Sequence, residues 1–248
     1  MTKIIAFSGR KKSGKTTASN FIYGLYLAGT SRFKDIGLTN NGLIEVLKND
    51  DTLHIVDLQK YYLGIGDIDE EIMDTINFLT PTIKVYSFAD PLKNDICINI
   101  FGMTYDQCYD EDGKNSLTNI TWESMPNSNK TGSMTGREVM EYFGTSVIRK
   151  IKQDAWSSAT ITKIKRDNPK VAIINDCRFP DEVRPIQENN GVVIRLSRNP
   201  DNSDSIPECA LDPQNFNWDQ FNYVVDNKDM TINEQCDYLY PIIVKEVQ

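Results

Sequence analysis

Lys3-Ile-Ile-Ala-Phe-Ser8, followed by Gly9-Arg-Lys-Lys-Ser-Gly14-Lys15-Thr16, decides how this chain folds. The first six residues are a short apolar run ending at a glycine, the pattern of a strand buried on both faces. The next eight satisfy G-x-x-x-x-G-K-[ST] in full. After them, Thr16 to about Ala28 carries Phe21, Ile22, Leu25 and Tyr26 at helical spacing and stops at Gly29. Strand, glycine-rich loop and amphipathic helix are the context this motif's mechanism requires. The glycines let the backbone curl so that N–H groups point inward, and the helix start adds its positive dipole end. A nucleoside triphosphate is the ligand such a cradle takes. Lys15 then reaches the β- and γ-phosphates, the Thr16 hydroxyl ligates Mg²⁺, and Gly9, Lys12, Ser13, Gly14 and Thr17 complete the phosphate contacts. The bland alternative is a glycine-rich turn with a solvated basic tip.

Outward from this stretch, strands and helices alternate. Thr30 to Leu63 reads as a hairpin around Asn41-Gly42, which suits a type I′ turn, with TLHIVDL as a third short strand. Asp69–Phe78 reads as a helix with an acidic first turn. Core strands follow at Ile83–Phe88, Lys170–Asn175 and Val192–Ser197, and a short fifth at Tyr223–Asp226. Asp90-Pro91 starts a helix with Asp as its cap. Thr135-Gly-Arg-Glu138 and Thr231-Ile-Asn-Glu234 are capping boxes. The first opens a helix that Gly144-Thr145 interrupts. The second opens a C-terminal helix that Pro241 kinks. Further helices cover Ala155–Arg166 and Pro180–Asn190. Asp110–Met134 is polar and reads as a flexible loop or flap, and Asn199–Gln220 as a long irregular loop. The predicted fold is α/β: a three-layer P-loop NTPase fold with a five-stranded parallel core sheet and a small inserted β-hairpin region. One domain spans 1–248, with the insertion at about 30–80 and the flexible loop at about 110–134.

Composition excludes several classes. The 248 residues are 40% hydrophobic and 25% charged, with 27 Lys plus Arg against 35 Asp plus Glu. A net charge of −8 disfavours a nucleic-acid backbone as the main partner. No apolar run approaches the ~18 residues of a membrane span. Five scattered cysteines without C-x-x-C fit a reduced cytoplasm. The single histidine, His54, excludes multi-histidine metal sites.

Five segments carry a resemblance: Gly9–Thr16; Ser87-Phe-Ala-Asp-Pro-Leu-Lys93; Arg137 with Gly144-Thr145; Asp176-Cys-Arg-Phe-Pro-Asp-Glu182; and Tyr223-Val-Val-Asp-Asn227. In order and spacing the chain resembles the deoxynucleoside monophosphate kinases of tailed bacteriophages, and more weakly phosphomevalonate kinase and P-loop nucleoside monophosphate kinases generally. The resemblance covers about residues 1–28 and 83–247; Thr30–Leu63 has no counterpart. Several relatives carry Asp where this chain has Thr16. The resemblance implies transfer of the γ-phosphoryl of ATP to a deoxynucleoside 5′-monophosphate with Mg²⁺, acting on small-molecule nucleotides with no direct nucleic-acid or membrane partner; a homodimer is allowed.

It also implies roles. Lys15, Asp176 and Arg178 are catalytic, with Thr16 and Asp176 on the metal. Asp90, Lys93, Arg137, Gly144, Thr145, Arg149, Trp156, Arg178 and Glu182 serve the acceptor nucleotide. Trp156 offers a ring for base stacking or else belongs to the core, and Glu182 either orients Arg178 or meets the sugar or base. Arg198 and Asn227 lie on the adenine side. Glu208-Cys209 resembles a short acidic motif without an assigned role. The competing expectations are a P-loop kinase of another small phosphorylated acceptor and a non-enzymatic ATP-binding switch protein. A DNA-translocating ATPase conflicts with the acidic balance.

Overall fold

The computed structural model describes residues 1–126, 128–200 and 206–248. They form two compact units, Met1–Ser87 with Ile161–Gln248, and Phe88–Thr160. In chain order the first unit carries β1 (Lys3–Ser8), α1 (Lys15–Gly29), β2 (Asp35–Leu38), β3 (Ile44–Leu47), β4 (Leu53–Val56), α2 (Leu58–Leu63), α3 (Glu70–Leu79) and β5 (Ile83–Tyr86). The second unit contains α4 (Tyr105–Tyr109), β6 (Leu117–Thr121), β7 (Ser133–Thr135), α5 (Gly136–Glu141) and α6 (Arg149–Ile151), and α7 (Ala155–Asp167) begins in it. The first unit resumes with β8 (Val171–Cys177), α8 (Pro180–Glu188), β9 (Gly191–Leu196), α9 (Ile206–Cys209), β10 (Tyr223–Val225) and α10 (Ile232–Val247).

Five strands make one sheet in the order β10-β9-β1-β8-β5, and every pair in it is parallel. The cause is visible in the strands. Ile5, Phe7, Ile173 and Ile194 pack with Ala18, Ile22, Tyr23 and Leu27 of α1 and with Leu239 and Ile243 of α10. The alternate residues Ile4, Ala6, Ala172, Ile174 and Val193 are equally buried, so the three central strands β9, β1 and β8 are covered on both faces. This is the expected P-loop kinase architecture. Polar chemistry is thereby pushed to the strand ends. Because β8 and β9 flank β1 on opposite sides, the chain reverses its winding around β1. Ligands of open α/β sheets bind beyond the carboxyl ends at such a point.

The insertion is a three-stranded antiparallel sheet, β2-β3-β4, whose Ile44, Val46 and Val56 join the same core. Its first turn corrects the type I′ expectation. Five residues, Thr39–Leu43, connect β2 to β3, and the Thr39 hydroxyl accepts from the N–H groups of Asn41 (3.2 Å) and Leu43 (3.1 Å). A backbone turn closes one residue earlier, Gly42 N–H donating to the Thr39 carbonyl at 2.8 Å, and the Thr39 side chain braces the longer connection.

In the second unit both ends of the polar 110–134 stretch are ordered into a two-stranded sheet, β6 with β7. Thr118 donates to the Met134 carbonyl at 2.8 Å, and the Met134 side chain is fully buried. Composition concealed these two anchors. The helix after Asp90 also differs from expectation. Pro91–Ile98 has π-type hydrogen bonding, and Asp90 itself is helical (φ −58°, ψ −44°) with no side-chain cap. Gly144-Thr145 does not interrupt its helix. Tyr142–Ile148 continues it as a π-helical segment, and Gly144 faces Leu92, whose Cδ2 would lie 2.8 Å from a Cβ placed there. Both capping boxes form as expected, and α10 runs on through Pro241 as one helix. Asn127 and residues 201–205, which fall in the two expected loops, lie outside the described residues. Among the described residues no helix is long and apolar enough to cross a membrane.

Candidate active site

β1 delivers Gly9 to the centre of the sheet edge, and Gly14 ends the loop in the left-handed region (φ 99°) as the cap of α1. A Cβ at Gly14 would lie 2.6 Å from Gln235 Oε1, so backbone freedom and close approach both demand glycine. Lys12 also has positive φ (60°), which raises the tip of the loop. Thr16 is exposed in the first turn of α1, with Thr17 half-buried beside it.

Lys15 is buried (7% exposed), and its ammonium donates to the carbonyls of Gly9 at 2.8 Å and Arg10 at 2.7 Å. The side chain is thus folded onto its own loop. Burial lowers its pKa from 10.5 to about 7, and Arg178 and Arg195 push the same way, against Glu208 and Asp176. At about pH 8 the amine of the free protein is mostly neutral. A polyphosphate beside it favours the ammonium, so its pKa rises on binding and a proton is taken from the buffer. ATP is fully ionised there, its last phosphate pKa being about 6 to 7. We therefore expect calorimetric ATP binding at pH 8 to show net proton uptake between buffers of different ionisation enthalpy, shrinking below pH 7. Equal heats in both buffers would refute this electrostatic picture.

Asp176 and Arg178 come from the end of β8 beside β1. Ser87, just past β5, donates its hydroxyl to Asp176 Oδ2 at 2.5 Å. Glu182 is 2% exposed and accepts from the N–H groups of Arg178 (2.7 Å) and Phe179 (3.1 Å). It is the first-turn carboxylate of α8 and fixes the backbone that bears Arg178. Its burial and these two bonds match the orienting role. The Arg178 guanidinium is half-buried and donates from Nη1 to Glu208 Oε1 at 2.5 Å.

Asn227 and Arg198 are brought together. Arg198 N donates to Asn227 Oδ1 at 2.9 Å and Arg198 Nε to the Asn227 carbonyl at 3.0 Å, while its Nη2 reaches the Met230 carbonyl. Asn227 is fully buried and donates to the Ser13 carbonyl (2.8 Å) and to Gln235 Oε1 (2.7 Å); Gln235 in turn donates to the Gly14 carbonyl at 3.2 Å. These two amides hold the Gly9–Thr16 loop in shape. Asn227→Ala would strand several buried partners, and we expect a loss of about 2–4 kcal/mol in unfolding stability. Denaturant unfolding checks it, and a loss below about 0.5 kcal/mol would show that water replaces the amide.

Gln235, Arg10, Arg195 and Asp212 were not anticipated. Arg10 donates from Nε to Asp212 Oδ1 at 3.2 Å and from Nη2 to Oδ2. Arg195 also reaches Asp212 Oδ1, at 3.3 Å, and donates to Ser8 Oγ at 3.1 Å. One signal was present: an arginine inside the apolar run VVIRLS must find a partner when the strand is buried. Gln235 had none beyond its place after a capping box.

Of the expected acceptor residues, Asp90, Lys93, Arg137, Gly144, Thr145, Arg149 and Trp156 belong to the second unit, and Arg178 and Glu182 to the first. Lys93 Nζ lies 4.2 Å from the centre of the Tyr109 ring, and Tyr109 donates its hydroxyl to Asp90 Oδ1 (3.2 Å) and Asn94 Oδ1 (2.7 Å). Arg137 pairs with Glu111 at 2.5 Å and with Asn115 Oδ1 at 3.3 Å, both in the stretch read as a loop. Arg149 donates to the Gln153 carbonyl at 3.4 Å, and Thr145 is exposed. Trp156 is 8% exposed and donates Nε1–H to the Gly144 carbonyl at 3.0 Å, so of its two expected roles this arrangement matches the core one, in which it supports the π-helical segment.

No curated protein matches the chain. A family model described as deoxynucleotide monophosphate kinase matches residues 3–233, from the first residue of β1 through the Gly9–Thr16 loop, the Asp176–Glu182 segment and Asn227 into the first turn of α10. The elements that build this site are therefore those of a nucleotide kinase, and the chain belongs to the deoxynucleotide monophosphate kinase family.

Proposed function

We propose that the chain transfers the γ-phosphoryl group of ATP to a deoxynucleoside 5′-monophosphate, giving the diphosphate for DNA precursor synthesis. The observation that carries this reading, within the family, is the grouping of Lys15, Asp176 and Arg178 at neighbouring strand ends. The charges of Asp176 and Arg178 act on the Lys15 amine. Phosphoryl transfer needs positioned cations on the equatorial oxygens more than covalent chemistry. Lys15 leaves its loop carbonyls for the donor phosphates, and the Arg178 fork meets the transferring group. Asn227 and Arg198 shape the adenine side. Asp90, Lys93, Arg137, Gly144, Thr145 and Arg149 serve the acceptor in the same proposal.

The donor set fits Mg²⁺. Among the described residues no three His, Cys, Asp or Glu side chains group as a metal cage. Mg²⁺ is held by one or two protein oxygens together with phosphate oxygens and water. The exposed Thr16 hydroxyl and the Asp176 carboxylate are such oxygens. Bound there, the ion would neutralise charge on the phosphates and orient them.

A coupled ADP-release assay across the common dNMPs and NMPs, and a base-free phosphorylated alcohol, tests the reading. We expect turnover with at least one dNMP and ADP release dependent on it. A base-free acceptor as the best substrate would replace this proposal with a kinase of another phosphorylated alcohol. Nucleotide binding without transfer to any acceptor would favour a switch protein.

A further inference from the structure

We infer that Glu208 is a positioning residue for phosphoryl transfer, holding the Arg178 guanidinium in register with the Gly9–Thr16 loop. The inference rests on the kinase reading above and adds a residue to it. Glu208 belongs to α9, in the long connection between β9 and β10. Both of its carboxylate oxygens are committed. Oε1 accepts from Arg178 Nη1 and Oε2 from the backbone N–H of Lys11, each at 2.5 Å. A single side chain therefore ties the end of β8 to the loop that follows β1.

Arg178 is held at two points. Glu182 fixes its backbone N–H and Glu208 fixes Nη1. Its Nε and Nη2 have no partner among the described residues, which leaves that edge of the fork for an oxyanion. An arginine side chain that is 36% exposed would otherwise sample many rotamers, at an entropic cost when it engages.

The contact is a poor device for stability. Glu208 is 8% exposed, and taking a carboxylate out of water offsets most of what the ion pair returns. The surroundings are nonetheless built to keep it. The next residue, Cys209, accepts from Arg10 Nη2 at 3.4 Å, and Arg10 is anchored by Asp212, so the chain just after the carboxylate is fastened to the same loop. The opposite possibility is that Glu208 merely occupies the place of a ligand anion and must leave before ATP binds. The two predict opposite kinetics.

The test compares the full-length chain, Glu208→Gln, Arg178→Ala and the double variant in the ADP-release assay. A glutamine oxygen serves only one of the two donors, and its NH₂ faces the other. We expect E208Q to lower kcat by about 10- to 100-fold with an unchanged KM for ATP. In the R178A background the same change should add less than about 2-fold, because the group it positions is gone. Added guanidinium should restore part of the R178A activity and none in the double variant. Should E208Q fail to fold, Glu208→Asp, which keeps the charge on a shorter arm, takes its place with the same expectations. Wild-type kcat in E208Q, a raised kcat/KM for ATP, or an undiminished loss in the R178A background overturns the inference. A wild-type chain that transfers to no dNMP overturns the kinase reading, and this inference falls with it; that result is distinct from active wild type with an indifferent Glu208.

Discussion

Lys15→Ala should lower kcat by about 10³-fold or more while the protein melts no earlier than the wild type. The first half follows from where charge builds. Transfer spreads negative charge over the equatorial oxygens of the moving group, and a lysine fixed by the loop meets that charge without reorganisation. The second half follows from the ground state. The Lys15 amine is buried and its pKa is lowered to about 7, so the charged form is disfavoured in the folded chain. The sign is explicit. Between about pH 7 and the unfolded value near 10.4 the unfolded chain binds more protons, so this residue's contribution to stability grows with pH and is least favourable below pH 7. Removing it should leave the melting temperature unchanged or raise it at neutral pH. The vacated space is small, because the side chain lies along its own loop on the Gly9 and Arg10 carbonyls. Near-normal turnover in a folded Lys15→Ala protein would refute the kinase proposal. A large drop in melting temperature would show instead that the ammonium holds the loop together.

The order of the core was legible because it rests on local pattern. KIIAFS, KVAIIN and VVIRLS are apolar without alternation, which only a strand covered on both faces tolerates. Thr135 with Glu138 and Thr231 with Glu234 marked helix starts three residues apart. The phosphate-binding motif located the loop and Lys15. What the sequence did not show is how distant polar groups close around that loop. Arg10 finds Asp212, Ser13 finds Asn227 and Gly14 finds Gln235 across about two hundred residues of chain, and no local rule links such pairs. Trp156 and Gly144 illustrate the same limit. Each was noticed as a residue that a ligand would want, yet each is used by the fold, the indole on the Gly144 carbonyl and the bare glycine against Leu92. The 110–134 stretch was partly legible. Polar composition argued for a loop or flap, whereas the paired strands at its ends rest on the buried Met134 and the Thr118 hydroxyl among other bonds.

Asp176→Asn should cost about 10²–10³-fold in kcat/KM and raise the Mg²⁺ concentration for half-maximal activity by about 10-fold or more. Asp176 lies near the end of β8, where the parallel register with β1 shifts between Ile174 and Cys177, so its carboxylate is delivered by an irregular step of the central strand pair. Ser87, delivered by the neighbouring β5 end, donates its hydroxyl to Oδ2 and sets the orientation of the group. An asparagine keeps the shape and an oxygen for the Ser87 hydroxyl but loses the charge, so the fold should survive while the hold on a divalent ion weakens. Ser87→Ala gives a graded companion. It leaves the charge and removes the orienting bond, and should cost about 10-fold in the same two quantities. Binding of Mn²⁺-ATP followed by electron paramagnetic resonance reads the metal without requiring turnover. Unchanged Mn²⁺-ATP affinity in Asp176→Asn, together with an unchanged Mg²⁺ response, would remove this carboxylate from the metal and leave it as a structural partner of Ser87.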